Sequence, residues 1–400
     1  MLRIAMITPG YLPVPAVNGG AVEVLIEYLL QGNEKEKKCF IDCYTVPNDK
    51  LKEYKFENTS IIQLNIRKTT QIINKFVNIL YKTFKVKKWR TSFSRELIKE
   101  MKGKKYDYVV VHNNLMAYRD IYDKTENKDN LIYVLHNNIN EDDVNHVLIA
   151  QLIGKTAKKI LAVSDYTGND FKRISGATDV QILYNCIDFD RYFKEIPDEE
   201  KNKARKKYRI AKNDFVFMYS GRIDIYKGVL ELVEAFKKID NLSTKLIIVG
   251  KSWFDESDCR DEYTEKIKIV AEEIKDRIIF TGFIDSEHMP LMYQISDCLV
   301  IPSIWEEPFG VVALEGMASG LPILATNSGG LMEIVDNECA FIIEKETDLI
   351  DNLSNRMAMM ASDKFNAKKM GRKSKNIVKN KVEYDSTKYF ENFLKKTLGD

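Results

Sequence analysis

The sequence predicts an α/β protein built from two doubly wound, Rossmann-like domains, and three observations lead there. Thirteen short apolar, β-branched runs recur along the chain, separated by polar or helical stretches. The length of 400 residues exceeds what one hydrophobic core organises. A charged stretch almost without aliphatic side chains, DFDRYFKEIPDEEKNKARKKYRIAKND, divides the runs into two series. Strands that are apolar throughout and alternate with helices imply parallel sheets covered on both faces.

The first series comprises RIAMIT (3–8), FIDCYTV (40–46), IIQLNI (61–66), YVVVHN (108–113), LIYVLHN (131–137), KILAVSD (159–165) and QILYN (181–185). The second comprises FVFMYSG (215–221), KLIIVG (245–250), RIIFTGF (277–283), CLVIPS (298–303), PILAT (322–326) and AFIIE (340–344). The expected organisation is a first domain over 1–190, a linker over 191–213 and a second domain over 214–375. A closing helix over 376–400 is expected to cross back to the first domain. Two such domains would face each other across a cleft, with ligands outside the carboxyl ends of the strands.

Composition narrows the class. With 44% apolar and 30% charged residues the chain reads as globular, and no apolar run reaches the roughly 18–20 residues that span a bilayer. The N-terminus enters a strand directly, without the layout of a secretory signal. The six cysteines lack CxxC spacing and mostly sit in apolar runs, as reduced core residues of a cytoplasmic protein do. A net charge of +2 hides an asymmetry: residues 61–105 hold thirteen Lys and Arg against two Glu. The segment 67–105 mixes that charge with Phe76, Ile79, Leu80, Tyr81, Phe84 and Trp89. It reads either as a peripheral membrane-surface element or as a solvated helix packed on its own domain. No nucleic-acid-binding motif accompanies it.

The chemistry-bearing motifs fall where strands end. Residues 301–330, IPSIWEEPFGVVALEGMASGLPILATNSGG, read as a strand end, an acidic loop, a Pro-Phe-Gly turn, a small-residue helix and a further strand. Starting a helix at Pro308-Phe309-Gly310 leaves backbone N–H groups near Gly310, Val311 and Val312 facing outward, an arrangement that attracts phosphate. Glu307 and Glu315 flank that helix end, which suits a ligand with a central diphosphate and hydroxyl-rich sugars on both sides. Glu307 also reads as a solvent-exposed acid beside Glu306. In SGRIDIYKGVLELVEAF, Arg222 and Lys227 precede a helix and oppose its dipole unless an anion joins them. An ion pair with Asp224 would satisfy one of the two cations. Asn18-Gly19-Gly20 opens a helix after the first strand, either as a close-approach loop for a phosphate ligand or as a turn. It is not the GxGxxG fingerprint of nicotinamide enzymes. No Asp-x-Asp before a loop and no His/Cys cluster of ligand spacing suggests a metal.

Together the NGG loop, GRIDIYKG (221–228), TGFI (281–284) and EPFGVVALEGMASGLP (307–322) resemble the retaining nucleotide-sugar glycosyltransferases of family 4, with the two-domain GT-B fold. The likeness spans the chain and is most specific over 215–330. PVPAVNGGAVE resembles members that build bacterial cell-surface polysaccharide. The resemblance implies that Arg222 and Lys227 clamp a diphosphate and that Glu315 meets ribose hydroxyls. Glu307 would hold the transferred sugar, and the main chain of Phe309, Gly310, Val311 and Val312 would meet sugar and phosphate. Phe283 and Ile284 would read the base through their main chain. Gly19 and Gly20 would close over the phosphates, and His136 would contact the donor sugar, unless it is a satisfied histidine at a strand end. Asn185-Cys186 departs from the usual Asn-Gly of the family.

The implied reaction is metal-independent transfer of a hexose-type sugar, from UDP by preference, to a lipid-linked or cell-surface glycan, with retention of configuration. No cofactor is implied. Partners would be the nucleotide-sugar donor, the glycan acceptor and an anionic membrane surface, with a cytoplasmic or inner-face peripheral location. Two other readings remain: a nucleotide-sugar epimerase of the same fold, and a non-enzymatic glycan- or membrane-binding homologue.

Overall fold

The computed structural model describes residues 1–66, 91–250, 262–345 and 348–399. Most of the basic segment 67–105 therefore lies outside the described residues. Its described part begins with the helix Ser92–Glu100, capped by the Thr91 hydroxyl and buried through Phe93 and Leu97. The chain forms two units: Met1–Asn185 together with the stretch from Ser386, and Cys186–Asp385.

The first unit holds seven strands: β1 (Leu2–Ile7), β2 (Cys39–Thr45), β3 (Thr59–Gln63), β4 (Tyr108–His112), β5 (Leu131–Leu135), β6 (Lys159–Ala162) and β7 (Gln181–Ile182). They lie parallel in the order β3-β2-β1-β4-β5-β6-β7. The order reverses between β1 and β4, a switch point of the kind where such sheets bind ligands. Continuous apolarity in the strands has a direct cause: Val109, Val110 and Val111 of β4 are all fully buried, because helices cover both faces.

The second unit holds β8 (Phe215–Ser220), β9 (Thr244–Val249), β10 (Ile278–Gly282), β11 (Cys298–Ile301), β12 (Ile323–Thr326) and β13 (Ala340–Ile343). Their parallel order is β10-β9-β8-β11-β12-β13, with the switch point between β8 and β11. Each of the thirteen apolar runs contributes a strand.

The unit boundaries differ from those expected. Residues 191–213 belong wholly to the second unit. Their helix Asp198–Lys207 buries little beyond Ala204. It is held instead by Arg205, whose guanidinium donates to the carbonyl oxygens of Ile295 (2.8 Å), Ala211 (3.0 Å) and Asp214 (2.9 Å). At the other end the chain changes unit at Ser386, not 376: the helix Lys364–Lys379 stays with the second unit, and only Ser386–Leu398 joins the first. The five described cysteines are free and buried. No helix among the described residues is long and apolar enough to cross a membrane.

Candidate functional site

In the second unit the site residues converge at the β8/β11 switch point. The loop after β8 runs through Gly221 and Arg222 to Asp224, whose carboxylate caps the single turn Ile225–Lys227 by accepting the Tyr226 N–H at 3.0 Å. The same side chain lies 3.3 Å from Arg222. Gly228 follows with φ +67°, and a Cβ there would stand 1.9 Å from the carbonyl oxygen of Pro302. The loops after β8 and β11 are thus in backbone contact, and only glycine permits it.

That contact brings Lys227 to Glu307. The ammonium is 2.7 Å from the carboxylate and 4.9 Å from the centre of the Trp305 ring. The Ser303 hydroxyl also donates to the Glu307 carboxylate. The Glu307 N–H donates to the Ser328 hydroxyl at 2.9 Å, and its carbonyl accepts from Gly330 at 2.8 Å. Glu307 is 7% exposed, so it is not a solvated surface acid. Its neighbour Glu306 pairs with Lys345 instead. The expectation that an internal partner would satisfy only one of the two cations is corrected: Arg222 pairs with Asp224 and Lys227 with Glu307. The second pairing joins residues on different loops eighty positions apart, which local spacing does not reveal.

The helix Val311–Ala318 starts directly behind this pair, with Gly310 as its cap at φ +108°. Its first amides lack partners within the helix and carry its positive dipole end. Phe309 is buried, edge-on to Tyr384. One turn in, the Glu315 carboxylate accepts the Tyr293 hydroxyl at 2.7 Å. Burial raises its pKa, while the phenols of Tyr293 and Tyr192, with Arg191 behind them, pull it back down. Phe283, 55% exposed, and Ile284 follow β10 on the same carboxyl edge of the sheet. The arrangement offers cations, helix amides and a phenol-held carboxylate within one sheet edge. It suits an anionic centre with hydroxyls around it.

The first unit carries the remaining residues. Gly19 (φ +73°) and Gly20 (φ +101°) lead into the helix Ala21–Glu36. A Cβ on Gly20 would lie 2.2 Å from a Glu23 carboxylate oxygen. Glu23, which sequence reading passed over, therefore sits at its own helix N-terminus, where an external anion was expected. Burial pushes its pKa up to about 7.

His136 follows β5 and is 4% exposed. Its Nε2 lies 2.9 Å from Nδ1 of His112, the last residue of β4, with the ring planes inclined by 21° and their centres 5.3 Å apart. The Asn113 side chain accepts the backbone N–H groups of His136 and Asn137, both at 3.3 Å. Burial lowers the His136 pKa to about 3 and that of His112 well below the usual range, so both rings are neutral. His112 also escaped sequence reading, although the signal was present: the neighbouring strands end alike, YVVVHN and LIYVLHN. A cavity of about 670 Å³ in the first unit is bordered by Tyr11, Asn18, Phe93, Asn113, Tyr133 and Asn137, the last two residues lying before and after His136 in sequence.

Comparison with known proteins places the chain among glycosyltransferases. Residues 200–377 match the family model described as glycosyl transferases group 1. The chain is 28% identical over 280 residues to the lipopolysaccharide 1,2-N-acetylglucosaminetransferase of Salmonella typhimurium, covering 70% of this chain and 69% of that one. It is 24% identical over 349 residues to the putative glycosyltransferase YtcC of Bacillus subtilis, covering 86% and 79%. Among solved structures, Anabaena HepE in complex with UDP-glucose superposes with a TM-score of 0.77 at 18% identity, over the full length of both chains.

Proposed function

We propose that this chain, a GT-B fold whose residues 200–377 belong to the glycosyl transferases group 1 family, moves a hexose-type sugar from a nucleoside-diphosphate donor, UDP by preference, to a hydroxyl of a lipid-linked or cell-surface glycan. The observation that carries this reading is the Lys227–Glu307 pair set before the helix Val311–Ala318, with Glu315 one turn behind.

In this reading the donor diphosphate draws on Arg222, Lys227 and the helix amides, which stabilise charge as the sugar–phosphate bond breaks. Lys227 then shares its charge between Glu307 and phosphate, and Glu307 turns its remaining lone pairs to hydroxyls of the sugar. Glu315 accepts from the ribose hydroxyls, and the chain beside Phe283 and Ile284 meets the base. On the first unit, Gly19, Gly20 and His136 are the candidates for contacts to the donor's phosphates and sugar, and the cavity near Asn113 and Tyr133 is the candidate for the acceptor. Retention follows if the acceptor oxygen attacks the same face that the phosphate leaves. The C1–O bond to phosphate breaks, the bond to the acceptor forms, and the hydroxyl proton passes to the departing phosphate oxygen. The two cations do the work a metal does elsewhere.

Calorimetric titration with UDP, GDP and dTDP tests the donor site. One nucleotide should bind, and Glu315→Ala should weaken it on the order of 10–100-fold, the value of hydrogen bonds to a charged acceptor. No binding by any nucleotide would overturn the reading. A cytoplasmic enzyme acting on lipid-linked acceptors must also reach the membrane. The basic segment 67–105 supplies this at ~1 kcal/mol per Lys or Arg near anionic lipid. Sedimentation with anionic vesicles, reversed by salt, is expected, and equal binding to neutral vesicles would rule the electrostatic account out.

A further inference from the structure

We propose that His112 is a positioning residue for His136, that the two imidazoles share one hydrogen, and that His136 meets substrate through Nδ1. The proposal rests on the reading above that His136 faces the donor sugar.

Three observations support it. The two rings are 1% and 4% exposed, so water does not compete for their nitrogens. His112 Nδ1 and His136 Nε2 are 2.9 Å apart, a hydrogen bond in which either ring can be the donor. The other two nitrogens, His112 Nε2 and His136 Nδ1, are buried with no partner among the described residues.

The shared bond constrains both rings. If His112 donates through Nδ1–H, His136 Nε2 is a lone pair and its hydrogen must sit on Nδ1. If His136 donates through Nε2–H, His112 Nδ1 is the lone pair and its hydrogen must sit on Nε2. In either case both rings hold the same tautomer. Opposite tautomers would set two hydrogens, or two lone pairs, against each other. With Nε2 committed to His112, Nδ1 is the only His136 nitrogen left for a ligand. A sugar hydroxyl both donates and accepts, so it satisfies that orphan in either tautomer. A buried polar atom without a partner is costly, and a ligand that completes it removes that cost. The fold prepares the arrangement twice over: adjacent strands each end in His-Asn, and Asn113 grips the backbone of His136.

The test combines ¹⁵N-histidine NMR with steady-state kinetics on the full chain, using as donor the hexose of that nucleotide, among those the titration shows to bind, that gives the highest turnover. In the native protein both rings should be neutral and in the same tautomer. Opposite tautomers, or a protonated ring at neutral pH, would overturn the proposal. His112→Leu removes the bond, and should shift the His136 Nε2 resonance and lower kcat by about tenfold, the value of one lost hydrogen bond, with the donor KM little changed. Asn places an amide where His112 Nδ1 stands, so His112→Asn should restore kcat to within a few-fold. At position 136, Asn (the Nδ1 mimic) should retain more activity than Gln (the Nε2 mimic). Unchanged His136 resonances in His112→Leu, equal losses in the Leu and Asn variants, or Gln outperforming Asn at 136 would each reject it. If the native chain transfers no sugar, the functional reading fails, while the tautomers still decide whether the pair is one unit.

Discussion

Glu23 is an acid held where its own charge is unwelcome, 5% exposed against the Gly19–Gly20 turn, with its carboxyl folded back to its own helix N-terminus. Helix amides favour the anion there, but burial outweighs them and lifts its pKa from 4.5 to about 7. The folded state therefore holds this proton at pH values where the unfolded chain has released it. The ionised form penalises folding above pH 7. The penalty shrinks as pH falls through 7 and vanishes below about 4.5. A gap of this size corresponds to at most about 3 kcal/mol. Raising pH from 5 to 8 should thus lower the denaturation midpoint more in the native chain than in Glu23→Gln, and identical slopes would sink the assignment. Residue-scale features of this kind were only partly legible in sequence. The spacing of Glu307 and Glu315 around a helix start singled out both acids as candidates. The ion partners of Lys227 and Glu307, the inward fold of Glu23 and the His112–His136 bond all depend on contacts between loops or strands remote in sequence.

Elements were more legible than their contacts, because a buried parallel strand must be apolar at every position whereas a loop is read only through what it touches. The loop closing β8 illustrates the difference. Gly228 reads in sequence as the end of a GR-x4-KG pattern, but its need for glycine comes from Pro302, a neighbour supplied by β11. Gly228→Ala should cost more than the ~1–2 kcal/mol of a left-handed non-glycine residue, since the clash at 1.9 Å adds to it. Gly176 provides the control: it has φ +72°, and nothing lies within 4 Å of an added Cβ. Chemical denaturation of the two variants should show the larger loss at 228. Nucleotide affinity should fall there alone, because the displaced turn carries Lys227 away from Glu307. Equal losses would mean that the Pro302 contact relaxes freely. The helix Asp198–Lys207 was missed for a complementary reason. Its stability comes from Arg205 bonding to carbonyls rather than from an apolar stripe, so its residues read as linker.

At the scale of the whole chain, the first unit is discontinuous, and its last piece is structural. Ser386–Leu398 packs on the helix Ala21–Glu36, which begins at the Gly19–Gly20 turn. The fit is close: a Cβ on Gly32 would lie 2.4 Å from Cβ of Phe390, and Tyr389, Phe390 and Phe393 are each 1% exposed. The change of unit falls at Ser386, ten residues past the expected start of the closing helix, because the preceding helix Lys364–Lys379 buries Ala367, Met370 and Val378 in its own unit. Two consecutive amphipathic helices read alike, and sequence does not say which core each one serves. Removing 386–400 should therefore act on one unit only. Three aromatics at roughly 1.5–3 kcal/mol each represent about 4.5–9 kcal/mol, comparable to the roughly 5–15 kcal/mol net stability of a domain. Limited proteolysis of the shortened chain should cut within 1–185 and spare 186–385. Nucleotide should still bind with near-native affinity, since Arg222, Lys227, Glu307 and Glu315 all lie in the second unit, while sugar transfer should be lost. Loss of nucleotide binding together with transfer would mean that the first unit supplies binding energy to the nucleotide itself. The proposal that the second unit alone carries the nucleotide would then fail.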